Sequence, residues 1–161
     1  MKTIEIRTII NELSDLTHLS DQEKNLIAKA KEAAVEAYAP YSGFKVGAAL
    51  ILEDQTILAG NNQENAAYPS GLCAERVALF SASARYPNTP IEILAIAAFK
   101  GQKSISNPVY PCGACRQVMI EIEDRQNAPV RLILIGESKV HILENCRQLL
   151  PMGFDKKSLQ G

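Results

Sequence analysis

The sequence carries almost no net charge: 17 basic and 18 acidic residues leave a formal −1 at pH 7, and the basic ones are scattered. A nucleic-acid binder or a membrane-surface protein needs a basic patch or stripe. Neither partner is expected, and small, weakly charged ligands fit better. Long apolar runs are missing too. The first twenty residues, MKTIEIRTIINELSDLTHLS, are broken by Lys2, Glu5, Arg7, Glu12 and Asp15, unlike the uninterrupted apolar region of a signal peptide. No later run reaches the roughly 18 residues of a membrane span. A cytoplasmic protein is expected, where thiols stay reduced. No repeat, low-complexity tract or interdomain linker is visible. A chain of 161 residues, 47% hydrophobic, suffices for one domain with its own core and is too short for two ordinary ones. That domain is placed at residues 21–161, with 1–20 an N-terminal extension of unknown role.

What is present reads as alternating elements. LSDQEKNLIAKAKEAAVEAYAP is a helix: Ser20 and Glu23 form a capping box, Leu26, Ala30, Ala33 and Ala37 make one stripe, and Pro40 ends it. FKVGAALILEDQTILAGN is a β-hairpin around Glu53-Asp54-Gln55. After a polar loop, CAERVALFSASARYP reads as a buried helix and IEILAIAAF as a central strand. CGACRQVMIEIED gives another helix, VRLILIG a strand buried on both faces, and KVHIL a short edge strand before a last helical turn. The order predicts a three-layer α/β/α domain, with helices on both faces of a mixed sheet of about five strands.

Chemistry is concentrated in the thiols. Cys112-x-x-Cys115 alone fits a zinc half-site, a redox pair or chance. Its position, where a loop runs into a helix, aims unpaired N–H groups at the sulfurs and favours thiolates. Cys73 begins the preceding buried helix in the same way, so two helix N-termini would bring three thiolates to one ion. Cys146, on the apolar stripe of the C-terminal turn, is read as a core cysteine. That leaves three protein ligands and an open position, the pattern of catalytic rather than structural zinc. Glu75 is either a first-turn glutamate meeting the helix dipole or a proton shuttle. Its neighbours Ala78, Leu79 and Ala82 make the surface apolar, which would raise its pKa and suits a shuttle. The histidines, His18 and His141, look incidental.

CAERVALF followed about forty residues on by PCGACRQ resembles the zinc signature of the cytidine deaminase family in its three-cysteine form, whose chemistry uses a glutamate that is not a ligand. YAPYSGFKVGAAL and GNNQENAAYPSGLCAER resemble that family's substrate loops, and the similarity runs from about Tyr38 to Phe154. The resemblance implies zinc on Cys73, Cys112 and Cys115, with Glu75 as general acid and base. It implies Asn62 and Glu64 on the ribose hydroxyls, Phe44 on the pyrimidine ring and the Ala74 N–H on the base's carbonyl oxygen. Arg76 is implied to hydrogen-bond the thiolates and offset their charge. Tyr68 and Phe154 match positions that reach a neighbouring subunit's site, which implies a homotetramer. The implied reaction is hydrolytic deamination of cytidine and 2′-deoxycytidine in pyrimidine salvage. Two departures stand out: Tyr110 precedes PCGACRQ where the family more often has a small residue, and GFDKKSL lacks the expected Gly-Pro. From another class, the rival is a non-enzymatic zinc module closed by Cys146, which would unfold without metal. Among enzymes, it is a deaminase of modified cytosine nucleosides.

Overall fold

The first helix shows how locally this fold is encoded. Ser20 caps it: its hydroxyl accepts from the Glu23 N–H at 3.2 Å while the Glu23 carboxylate accepts from the Ser20 N–H at 2.8 Å. The computed structural model describes residues 1–159. In chain order they form β1 (Asn11–Leu13), α1 (Asp21–Val35), β2 (Phe44–Leu52), β3 (Ile57–Asn61), α2 (Ala74–Arg85), β4 (Ile91–Lys100), β5 (Lys103–Ser104), α3 (Gly113–Gln126), β6 (Arg131–Ile135) and β7 (Val140–Leu143). Leu26, Ile27, Ala30 and Ala34 are the buried apolar residues of α1, so its stripe runs through Ala34 rather than Ala33, and the helix stops short of Pro40.

The sheet is ordered β1-β7-β6-β4-β2-β3, with β5 paired to β4. It is mixed, since β4 and β6 are parallel and the other pairs antiparallel. Seven strands replace the expected five or so. The two additions, β1 and β5, have three and two residues, too few to show a two-residue alternation. The strand β7 was predicted to be an edge, but β1 covers it, with Glu12 directly opposite His141. The predicted C-terminal helical turn is a 3-10 turn, Cys146–Leu149.

Alternation along the strands divides the apolar residues between two faces. Ala48, Leu50, Leu94, Ile96, Leu132 and Leu134 pack under α2 and α3, while Ala49, Ile51, Ala95, Ala97, Ile133 and Ile135 pack under α1. This is the three-layer arrangement expected. Close approach of the layers depends on small residues. A Cβ on Gly47 would lie 2.0 Å from the Ala30 carbonyl oxygen, and one on Gly60 2.7 Å from the Ala78 nitrogen. Gly60 is thus where β3 seats the first turns of α2. Both β3 and β4 are antiparallel to β2 and so run the same way. The helices that follow them, α2 and α3, therefore start at the same end of the sheet. No helix among the described residues is long and apolar enough to cross a membrane.

Candidate metal centre and pocket

Cys73 is the N-cap of α2 and Cys112 the N-cap of α3, neither with a side-chain cap bond, and Cys115 lies in the first turn of α3. Their sulfurs all lie within 4.8 Å of one another. The Cys73 and Cys112 sulfurs are 3.7 Å apart, and those of Cys112 and Cys115 3.5 Å. Zn–S bonds of about 2.3 Å in a tetrahedron separate sulfurs by roughly 3.8 Å. The cluster therefore fits a tetrahedral zinc with three thiolates. Cys146 is fully buried elsewhere, its Sγ donating to the Val130 carbonyl at 3.4 Å, and it takes no part in the cluster. The four-thiolate alternative is excluded among the described residues.

The protonation of the thiols fits the same reading. Hydrogen bonds from the Cys115 thiol, from Arg76 and from Cys112 overcome burial and hold the Cys73 thiol down to about 5. The thiolate on Cys73, together with burial and the nearby Glu75 charge, pushes the Cys115 thiol up. By itself the protein favours a thiolate on Cys73 and a thiol on Cys115; a bound divalent cation would supply the charge that favours thiolate ligands.

Glu75, in the first turn of α2, is 5% exposed, the burial expected from its apolar neighbours. Burial, reinforced by the Cys73 charge, raises its carboxyl above the usual range. Arg76 turns to the same cluster: Nη2 donates to the Cys73 sulfur at 3.5 Å, and Nε is buried without a hydrogen-bond partner among the described residues. The Cys73 hydrogen bond raises the guanidinium pKa further.

These residues open on a cavity of about 750 Å³ that Phe44, Asn62, Glu64, Tyr68 and Ala74 also line, within the range of small-molecule pockets. Asn62 is occupied structurally: its Oδ1 accepts from the Val46 N–H at 2.7 Å and its Nδ2 donates to the Phe44 carbonyl at 2.9 Å. Glu64 accepts from the Ser42 hydroxyl and from the N–H groups of Tyr41 (2.8 Å) and Ser42 (3.2 Å). That hydroxyl first, with the two N–H groups, holds its carboxyl below the usual range. Tyr68 stands exposed, edge-on to Tyr41 with ring centroids 6.0 Å apart. Phe154 does not line the cavity; it is exposed, and Gln117 donates to its carbonyl at 2.6 Å. His141, expected to be incidental, bonds Tyr110, which does line the cavity. The sequence signal for this contact was Tyr110 itself, out of pattern beside the cysteine motif.

The model of the cytidine and deoxycytidylate deaminase zinc-binding region matches residues 20–128. The chain belongs to this family. The matched residues of the deaminase region include Cys73, Glu75, Cys112 and Cys115, and zinc is the cofactor. The chain is 44% identical over 140 residues to a cytidine deaminase of Sporosarcina psychrophila, covering 86% of this chain and 95% of that one. A cytidine deaminase of Halalkalibacterium halodurans is 48% identical over 97 residues, 60% of this chain and 69% of the relative. The crystal structure of cytidine deaminase from Burkholderia pseudomallei superposes with a TM-score of 0.70 at 41% identity, covering 81% of this chain and 98% of that one. Family membership makes the protein a zinc-dependent deaminase, a hydrolase.

Proposed function

We propose that the protein hydrolyses cytidine and 2′-deoxycytidine to uridine and 2′-deoxyuridine with release of ammonia, a step of pyrimidine salvage in the cytoplasm. The observation that carries the reading is a buried carboxyl, Glu75, beside three converging sulfurs in a pocket shared with Asn62 and Glu64. Cys73, Cys112 and Cys115 hold the zinc. Zinc, when bound, lowers the pKa of its water and so supplies a nucleophile at neutral pH.

Glu75 takes the proton from the attacking water. It passes that proton to the ring nitrogen next to the carbon bearing the amino group. It then takes the second water proton from the hydroxyl now on that carbon and gives it to the departing amine, which leaves as ammonia while the oxygen stays as the carbonyl. A carboxyl raised by burial suits a group that must hold and release a proton in turn. Ala74, the first residue of α2, has a backbone N–H with no intrahelical acceptor, and it donates to the base's carbonyl oxygen. Phe44, half-buried in the wall, packs on the pyrimidine ring. The second N–H of the Asn62 amide and the remaining lone pairs of Glu64 serve the ribose hydroxyls. Glu64 is charged, which disfavours a 5′-phosphate and favours free nucleosides. Three thiolates exceed the charge of one zinc ion. Arg76 and two helix N-termini offset the excess. Residues 21–161 act as a single domain, with 1–20 an extension to it. Tyr68 and Phe154, both exposed, reach neighbouring subunits' sites in a homotetramer.

Ultraviolet absorbance of cytidine, deoxycytidine and cytidine 5′-monophosphate, followed with zinc-quantified protein, tests the reading. Conversion of both nucleosides and little of the monophosphate is expected. Cys146→Ser should keep one zinc per chain and its turnover. A preference for the monophosphate would overturn the nucleoside assignment, and loss of zinc from Cys146→Ser would overturn the open site. Light scattering that gives a monomer or dimer would remove the tetramer.

A further inference from the structure

The N-terminal strand lies outside the residues that match the deaminase region, yet it connects to the pocket. Glu12 of β1 and His141 of β7 face each other across the sheet, with the His141 Nε2 2.9 Å from the Glu12 Oε2. The Lys139 ammonium donates to the same carboxylate oxygen at 3.1 Å. On its other side the imidazole Nδ1 lies 2.6 Å from the Tyr110 hydroxyl, the ring centroids being 5.8 Å apart. Tyr110 is half-buried, lines the cavity with Ile96 and Cys112, and packs against the core under α2 and α3. Glu12 and His141 both fall outside the matched segment, residues 20–128.

The direction of this chain of bonds follows from its members. A carboxylate only accepts hydrogen bonds, so the neutral imidazole facing Glu12 carries its proton on Nε2. Its Nδ1 is then an acceptor, and the Tyr110 hydroxyl must donate to it. The hydroxyl is thereby directed to His141, and the residue that carries it lines the cavity. Without Glu12 the imidazole loses the partner that fixes its tautomer and its ring orientation, and the Tyr110 hydroxyl is no longer held by a ring that is itself held.

We propose that Glu12 and His141 are positioning residues that hold Tyr110 as a fixed wall of the substrate pocket, so that the N-terminal strand helps set nucleoside affinity. This rests on the nucleoside reading given above. A fixed wall touches bound substrate and transition state alike, so its loss raises KM and leaves kcat unchanged.

The test compares Tyr110→Phe, Glu12→Ala, Glu12→Gln and the double variant Glu12→Ala/Tyr110→Phe, each with zinc quantified. Tyr110→Phe and Glu12→Ala are expected to raise the KM for cytidine roughly fivefold, the factor an ordinary hydrogen bond carries. The kcat and the zinc content should not change. Glu12→Gln, which still offers an acceptor to Nε2–H, should restore the wild-type KM, and the double variant should be no worse than either single one. Additive effects, an unrescued Glu12→Gln or a fall in kcat with loss of zinc would overturn the proposal. Nitrogen and proton NMR of His141 and the Tyr110 ring decide independently of turnover. Glu12→Ala should shift the Tyr110 ring resonances and Glu12→Gln should not; a silent Tyr110 in Glu12→Ala overturns the coupling. Failure of the wild type to convert cytidine would instead overturn the nucleoside reading alone.

Discussion

Two groups of residues build the site, and they are held in opposite ways. The metal-centre residues, Cys73, Glu75, Cys112 and Cys115, hang on the first turns of two helices pressed onto the sheet, and Glu75 and Cys115 are buried. The loop residues, Asn62 and Glu64, follow β3, and their polar atoms already bind the backbone of Tyr41, Ser42, Phe44 and Val46. The first group is placed by packing of the elements beneath it, so its side chains are free for chemistry. The second is placed by the same atoms that would recognise a sugar. On the proposed roles, a change at Asn62 or Glu64 should therefore disturb a loop as well as a contact, whereas a change at Glu75 should remove a reaction step and little else.

That contrast can be broken in four places. Glu75→Gln removes the proposed proton carrier and keeps the shape; kcat for cytidine should fall roughly 10²–10⁴-fold while one zinc per chain remains by atomic absorption. Gly60→Val attacks the metal centre from underneath. Its Cβ would meet the Ala78 nitrogen at 2.7 Å and the Ala74 carbonyl oxygen at 3.0 Å, displacing the turn that carries Glu75. A misplacement on the order of 1 Å costs up to about 10²-fold in rate, and overpacking costs about 1–3 kcal/mol in stability; thermal unfolding and kcat should both register it. An unchanged melting point would mean that β3 does not seat the helix. Arg76→Ala removes a charge-assisted donor to Cys73, and turnover should drop roughly tenfold with zinc retained. Wild-type turnover there would make Arg76 an ordinary surface arginine. The smallest effect falls in the loop group: Glu64→Ala should raise KM for cytidine roughly fivefold, with kcat steady. Because Ser42 and Tyr41 lose their acceptor, proteolysis of the 41–44 segment should also quicken.

Most of the architecture was legible because it is written in short-range patterns. The Ser20/Glu23 capping box, the short apolar runs of β2, β4 and β6, and the two cysteines at helix starts are each local signals of a local structure. The metal cluster was legible for the same reason: a loop entering a helix is visible in sequence, and the parallel course of β3 and β4 does the rest. Structures decided by a distant partner were not legible. Asn11–Leu13 becomes a strand because β7 offers an unpaired edge, and three residues carry no alternation of their own. His141 looked incidental on an alternating strand because nothing near it in sequence names Tyr110 or Glu12. Asn62 showed its loop character but not that its amide joins two strand residues of β2.

The odd and even residues of β2, β4 and β6 feed separate apolar layers that meet only through the backbone of the sheet. The layer under α1 holds Leu26, Ile27, Ile51, Ile133 and Ile142, and none of the cysteines. An engineer seeking a hardier catalyst can therefore treat that side as ballast, exchanging its side chains for volume and heat tolerance, while the helices that present the three cysteines and Glu75 rest on a different floor.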